Sequence, residues 1–257
     1  MNGVTAWIGR GTLDFVSATG SAFVLFGRSL SNLHYIHADR VLYIQQMYRL
    51  GVRAIPLVTI IAIFAGAVSA WQGAYQLKGT LPMRFLGQIV AGGILMELGP
   101  VLTALVLAGR NGSSIAAELA TMVVTEQVDA IEAMGLNPIR HLVTPRVIAM
   151  IIMVPMVTMW ADFVAIFSGF AVSHYFFNLN FSTFFNGFQA VFDMRSDFYP
   201  GLFKATMFGI SIGVISCWIG LRASWGASGV GRAAIDAFVL SSALILINDY
   251  ILATLLF

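Results

Sequence analysis

Hydrophobic positions run in long unbroken stretches rather than alternating with polar ones, and five stretches are long enough to cross a membrane. The first, 55–75, has no charged residue, and the second, 85–108, is interrupted only by Glu97. The third, 147–177, carries Asp162; the fourth, 205–221, is uncharged; the fifth, 233–257, holds Asp236 near its start and Asp249 deep inside. About 20 apolar residues cross the hydrocarbon core. A backbone in lipid must satisfy its own hydrogen bonds, so each stretch predicts a helix. At 1.5 Å per residue the third reaches roughly 45 Å, longer than the core, and is expected to tilt, bend near Pro155 or project out. A further apolar stretch, Val4–Leu33, is broken by Arg10, Asp14 and Arg28, and its uncharged centre, Phe15–Gly27, is short for a span. It lacks the basic start and small-residue cleavage site of a signal peptide. It predicts a helix lying in the membrane interface, which makes 1–53 an elbow segment. With no repeat and no low-complexity linker, 1–257 reads as a single domain.

Composition agrees. Hydrophobic residues make up 58% of the 257 positions and charged residues 10%, with a mean hydropathy of +0.85. Soluble domains carry about 25% charged residues, so a water-soluble globular enzyme is excluded, as is disorder. The net charge of +2 is too balanced for nucleic-acid binding by charge. The single cysteine, Cys217, excludes an intrachain disulfide and a cysteine-rich metal site. The fold class is an all-α membrane protein.

The basic residues orient it. Arg10, Arg28, Arg40, Arg49 and Arg53 precede the first span, Arg110, Arg140 and Arg146 follow the second, and Arg222 and Arg232 follow the fourth. Only Lys78, Arg84, Arg195 and Lys204 fall on the opposite side. The excess of arginine places the N-terminus in the cytoplasm and, after five spans, the C-terminus outside.

The segment 110–146 reads as a cytoplasmic loop containing a short helix. Thr125 is a candidate N-cap, followed by Glu126, Gln127 and Asp129 near the positive end of the helix. Val128, Ile131 and Met134 form an apolar stripe; Gly135 can end the helix, and Asn137-Pro138 prevents its continuation. Such a helix suits docking into a groove on a partner, or it simply connects two spans along the headgroups.

Ionisable groups at membrane depth face a cavity, water or a partner. Glu97 and Asp249 therefore stand out; the alternative is a helix-to-helix hydrogen bond, with Glu97 protonated. Asp162 is assigned a structural place. Gly92, Gly93 and Gly99, and the pair Gly209 and Gly213, permit close helix packing. Trp71, Tyr75 and Leu77 at the outer end of the first span suit an interfacial belt. Chemistry has few footholds. No GxxxxGK[ST] phosphate loop occurs, so this chain has no motif for binding ATP. His34 and Asp39 match the HxxxxD spacing of glycerolipid acyltransferases, but without the soluble domain that chemistry uses. His34 and His37 lack further metal ligands nearby. No catalytic residue and no metal site is assigned. A secondary transporter, which needs no ATPase, would be expected to show inverted repeats.

The stretches ELGPVLTALVLAGR, GRNGSSIAAELATM, VTEQVDAIEAMGLNPIRHLVTPR and GVGRAAIDAFVLSSALILINDYILATLLF resemble the MlaE/YrbE family of permeases, from about Tyr48 to Phe257. The resemblance implies the transmembrane subunit of an ABC transporter in a bacterial inner membrane. It implies a homodimer that pairs with two ATPase subunits, which bind ATP and Mg, and with an MCE-type lipid-binding protein. The implied cargo is phospholipid moved between inner and outer membranes, or in some relatives a sterol or another lipid. It makes the loop helix a coupling helix, with Thr125, Glu126, Gln127, Val128, Asp129, Ile131 and Glu132 docking on the ATPase. It places Trp71, Tyr75, Leu77, Leu95, Glu97 and Asp249 along a lipid pocket at the dimer interface. Many members carry Arg immediately before this Glu; Met96 stands here, so neither an Arg–Glu pair nor an Arg contact to a lipid phosphate is expected at that position.

Overall fold

The computed structural model describes residues 2–35, 39–78, 82–189, 193, 198–224 and 226–256, with the backbone alone at 2–12, 14 and 15. Expectations resting on His37, Arg195, Phe257 and the side chains of Arg10 and Asp14 lie outside the described residues. Among those residues every regular element is helical, and five helical segments are long and apolar enough to cross a membrane: Arg40–Leu77, Met83–Val124, Ile139–Phe177, Tyr199–Gly220 and Ala227–Leu256. The chain is a multi-pass membrane protein.

Helix α1, Asn2–Ser31, is followed by α2, Arg40–Leu50, and α3, Ile55–Leu77, which together form the first segment. The second comprises α4, Leu86–Gly93, α5, Gly99–Leu107, and α6, Ser113–Val124, joined by π-helical turns at Ile94–Leu98 and Ala108–Gly112. A short surface helix, α7, Gln127–Ala133, leads to another π turn, Ile139–Val143, and to α8, Thr144–Phe177. Helices α9, Phe181–Gln189, α10, Tyr199–Gly220, and α11, Ala227–Leu256, complete the chain. Proline stands in the first turn of α3, α5, α8 and α10, a position its fixed φ favours. Pro100 would otherwise clash with the carbonyl of residue 96 in an unbroken α-helix; the π turn immediately before it absorbs the mismatch.

The centre of the bundle is α8, against which α3, α10, α5 and α2 pack. Gly209 and Gly213 are what let α10 approach it. A Cβ at Gly209 would lie 2.6 Å from the Met150 carbonyl oxygen, and one at Gly213 would lie 3.2 Å from the Val147 Cα. Gly99 is filled from the other side by Asp162, whose carboxylate occupies the space a side chain there would need. At Gly92 and Gly93 no neighbouring atom lies within 4 Å of where a Cβ would be, so these two meet no other helix of this chain.

Several boundaries differ from the hydropathy pattern. The segment 110–146 is mostly helix, because α6 continues the second span and residues 139–146 begin the third. The second span, with 42 residues, is roughly 60 Å long, about twice the hydrocarbon core. Two of its polar residues find partners far away in the sequence. Glu118 of α6 pairs with Arg49 of α2 and, at 3.4 Å, with the buried Arg146 of α8. Asn111 donates to the Leu50 carbonyl at 2.6 Å. The third span is one continuous α-helix through Pro155. The fourth begins at Tyr199 rather than 205, which brings Lys204 inside it.

Helix α1 is not among the candidate spans. Its second half packs near Trp218, whose indole N–H donates to Ser21 Oγ at 2.9 Å, and near the π turn at Ile139–Val143. It thus lies at the end of the bundle that carries Arg49, Arg140 and Arg146. The opposite end is closed by α9, where Phe170 meets Phe181 and Phe184 at 5.3 and 5.6 Å between ring centres.

Candidate functional site

Two places concentrate polar chemistry: a charge cluster among the spans and the surface around α7. The cluster forms around Lys204, which hydropathy alone assigns to a loop. Its side chain is fully buried, with Nζ 2.6 Å from Glu97 Oε1 and 3.1 Å from Asp249 Oδ1. Three separate spans thereby meet at one ammonium. Each member is placed by local structure. The π turn before Pro100 sets the direction of Glu97, the early start of α10 at Tyr199-Pro200 places Lys204 a turn and a half in, and α11 brings Asp249 alongside. One residue before Asp249, Asn248 donates to Ser211 Oγ of α10 at 2.9 Å, holding the two helices in register.

The arrangement explains why these charges are tolerated. An unpaired ammonium at this depth is costly, whereas here each charge has an opposite neighbour. The cluster is not sealed. The Glu97 side chain is 41% exposed and that of Asp249 is 21% exposed, so both acids reach the surface while the lysine is enclosed. Two carboxylates and one ammonium leave a formal charge of −1 at an open surface of the bundle. The two acids of the cluster are visible in the sequence as isolated charges; the missing signal is Tyr199-Pro200, a helix start that sets Lys204 inside the span.

The other residues expected along a lipid pocket divide. Trp71 and Tyr75 are exposed on the outer face of α3, with Trp71 against Phe176 and Phe177 at 5.4 and 5.6 Å. Leu77 and Leu95 are buried in the core of the chain. The fold therefore gathers Glu97 and Asp249 but does not bring all six residues to one surface of the chain.

Around α7, Thr125 does not serve as the N-cap. It ends α6, and its hydroxyl donates to the Thr121 carbonyl at 2.8 Å and accepts from Gln127 Nε2 at 3.0 Å. The chain turns instead at Glu126, whose φ of 57° is left-handed, and α7 begins after it. At the far end Gly135, with φ +74°, donates to the Glu132 carbonyl at 2.9 Å, and Leu136 donates to that of Ile131 at 3.2 Å. This is the Schellman closure that glycine permits. Asn137 then caps the π turn at Ile139–Val143, its Oδ1 accepting from Ile139 N at 3.0 Å. Glu126, Gln127, Asp129 and Glu132 are exposed, while Val128 and Ile131 lean on the core and Met134 stands out. The apolar stripe is thus shared between the body of the protein and its surface.

A second support comes from the elbow. Arg140 Nε donates to Asp39 Oδ2 at 2.8 Å, and its guanidinium lies 3.9 Å from the centre of the Tyr35 ring. The hydrogen bond and charge of Arg140 hold the Asp39 carboxyl below its ordinary pKa. Asp39 is thereby engaged away from His34, whose Nδ1 sits 2.7 Å from the Ser31 carbonyl oxygen. Among the described residues no group of three His, Cys, Asp or Glu side chains could hold a metal ion.

Comparisons with known proteins place this architecture. The family model described as Permease MlaE matches residues 43–255. The chain is 38% identical to a probable ABC transporter permease protein of Rickettsia typhi, over 97% of this chain and 96% of that one. It is 36% identical to a probable ABC transporter permease protein of Synechocystis, over 92% and 90% of the two. It is 32% identical to the intermembrane phospholipid transport system permease protein MlaE of Haemophilus influenzae, over 97% and 96%. With five apolar helical segments and a family match that takes in nearly all of them, the chain belongs to the MlaE family of ABC transporter permeases.

Proposed function

We propose that the chain is the non-catalytic transmembrane subunit of a transporter that moves phospholipid between the inner and outer membranes of a bacterium. The observation that carries this reading is the 32% identity, over nearly all of both chains, to a relative named for intermembrane phospholipid transport. Two copies form the permease, with ATP and Mg bound by separate ATPase subunits and lipid exchanged with an MCE-type protein. The absence of a phosphate loop from the sequence supports the division of labour. The arginine-rich end is cytoplasmic, so α7 faces the ATPase and acts as the coupling helix. Its exposed Glu126, Gln127, Asp129 and Glu132 provide the polar contact, and the inward-leaning Val128 and Ile131 connect that contact to the spans.

The open face of the Glu97–Lys204–Asp249 cluster, with the uncovered Gly92-Gly93 surface on the same span, supports a meeting of two copies there. Acyl chains gain about 0.8 kcal/mol per buried methylene without regard to headgroup. That nonspecific gain suits a carrier that must load and release. Lys204, held by two carboxylates, ties three spans together beside that face. The test is affinity purification of the tagged chain from its native membrane, followed by lipid mass spectrometry. Co-purification of an ATPase and an MCE protein with bound phospholipid supports the reading. A chain that purifies without an ATPase, or with a sterol as its lipid, overturns it.

A further inference from the structure

At the opposite end of α10 from Lys204, roughly 27 Å away along the helix, a cleft of about 560 Å³ opens between the end of α10 and the start of α11. Its walls include Trp218, Arg222, Arg232, Asp236, Val239 and Leu240. Arg222 and Arg232 are exposed, and neither has a carboxylate within ion-pairing distance among the described residues. Arg222 is nevertheless oriented: its guanidinium carbon lies 4.7 Å from the centre of the Trp218 ring, and Trp218 is itself anchored to α1 through Ser21. The cleft also receives the N-terminal turn of α11, a 30-residue helix whose positive end favours anions. Below the arginines the wall becomes apolar, at Val239 and Leu240, on a segment long enough to span the membrane.

We propose that this cleft binds the phosphate headgroup of an anionic membrane lipid, with an acyl chain lying on Val239 and Leu240. Two guanidiniums supply planar, bidentate donors matched to a phosphodiester, and the helix N-terminus adds its positive dipole. A small soluble anion would satisfy the arginines but leave the apolar wall uncovered, whereas a lipid covers both. Basic clefts between helices at a membrane surface are the setting in which headgroups are recognised. Asp236, one turn beyond Arg232, limits the net charge of these three side chains to +1 and keeps the binding moderate. Only the leaflet, cytoplasmic on the orientation proposed above, depends on that reading; the site itself does not require the chain to be a transporter.

The test is native mass spectrometry of the purified full-length chain in neutral detergent, titrated with phosphatidylglycerol or phosphatidylcholine. The wild type should retain phosphatidylglycerol preferentially. Each of Arg222→Gln and Arg232→Gln should weaken that retention about fivefold, and the double variant roughly thirtyfold. Asp236→Asn should strengthen it, and Arg84→Gln, at the other end of the bundle, should leave it unchanged. Millimolar inorganic phosphate should fail to displace the lipid. Gel filtration and thermal unfolding establish that each variant is folded, and the single variants at exposed side chains carry the test if the double variant aggregates. Equal retention of the two lipids, unchanged preference in the arginine variants, or full displacement by inorganic phosphate overturns the proposal.

Discussion

Lys204→Met tests whether the intramembrane cluster holds the bundle together. The substitution keeps an unbranched side chain, one atom shorter, and removes its charge. Because Lys204 is fully buried at 2.6 and 3.1 Å from its two carboxylates, its loss leaves Glu97 and Asp249 facing one another without a counter-ion. Removing one partner of a buried pair costs about 3–5 kcal/mol. The 41% exposure of Glu97 lets that carboxylate turn outward, so the low end, about 3 kcal/mol, is expected. In a chain of this size that is a fall of roughly 6–12 °C in Tm. Glu97→Gln should cost about 1 kcal/mol or less, because Lys204 keeps Asp249 and the cluster becomes neutral. The triple variant Lys204→Met, Glu97→Gln, Asp249→Asn should recover most of the lost stability, since a neutral cluster has no unpaired charge. Thermal unfolding in detergent, monitored by tryptophan fluorescence, reads all three. An unchanged Tm in Lys204→Met, or a triple variant no better than the single one, would refute the argument.

The same geometry sets other outcomes. Glu126→Lys should weaken ATPase association about fivefold or more, measured by co-purification. Glu126→Gly removes the carboxylate while relieving a left-handed φ of 57°, and should keep the fold while still weakening docking. The Asp39–Arg140 bond depresses the folded pKa of Asp39, so its stabilisation is present above the ordinary carboxylate range, near pH 4, and lost as pH falls through the depressed value. The Tm difference between wild type and Asp39→Asn should accordingly be present at pH 7 and close towards pH 3. For orientation, Asn186→Cys should react with an impermeant maleimide from outside the cell and Asn137→Cys should not; native Cys217 is buried and adds no background. Reaction at position 137 from outside would reverse the topology.

Much of the fold can be read from residue pattern because its causes are local. An uncharged run of the right length gives a span, and Gly135 with Asn137-Pro138 ends one helix and starts the next. What escapes the pattern depends on partners distant in sequence. Residues 110–124 look like a loop because Asn111 and Glu118 are polar, yet both are satisfied by α2, and Glu118 also by α8. Lys204 reads as the end of a hydrophobic run, because hydropathy scores a charge without its counter-ions on two other helices. Glu97 and Asp249 draw notice as acids in apolar surroundings, but their connection lies in the packing of α10. Leu77 and Leu95 show the reverse problem: an apolar side chain in a span gives no local sign of whether it faces the core, as both do, or a lipid. Thr125 has the chemistry of an N-cap, but the left-handed turn at Glu126 moves the helix start beyond it.

ATP-driven phospholipid transport is tested most directly by lipid movement through the purified complex in proteoliposomes. A fluorescent phospholipid in one population is transferred to acceptor vesicles, with the ATPase intact or disabled. Transfer should require ATP, the ATPase and an unaltered Glu126, with the chain alone inactive. Equal transfer by the chain alone without ATP, or brisk ATP hydrolysis by the assembled complex with no phospholipid moved, would contradict it.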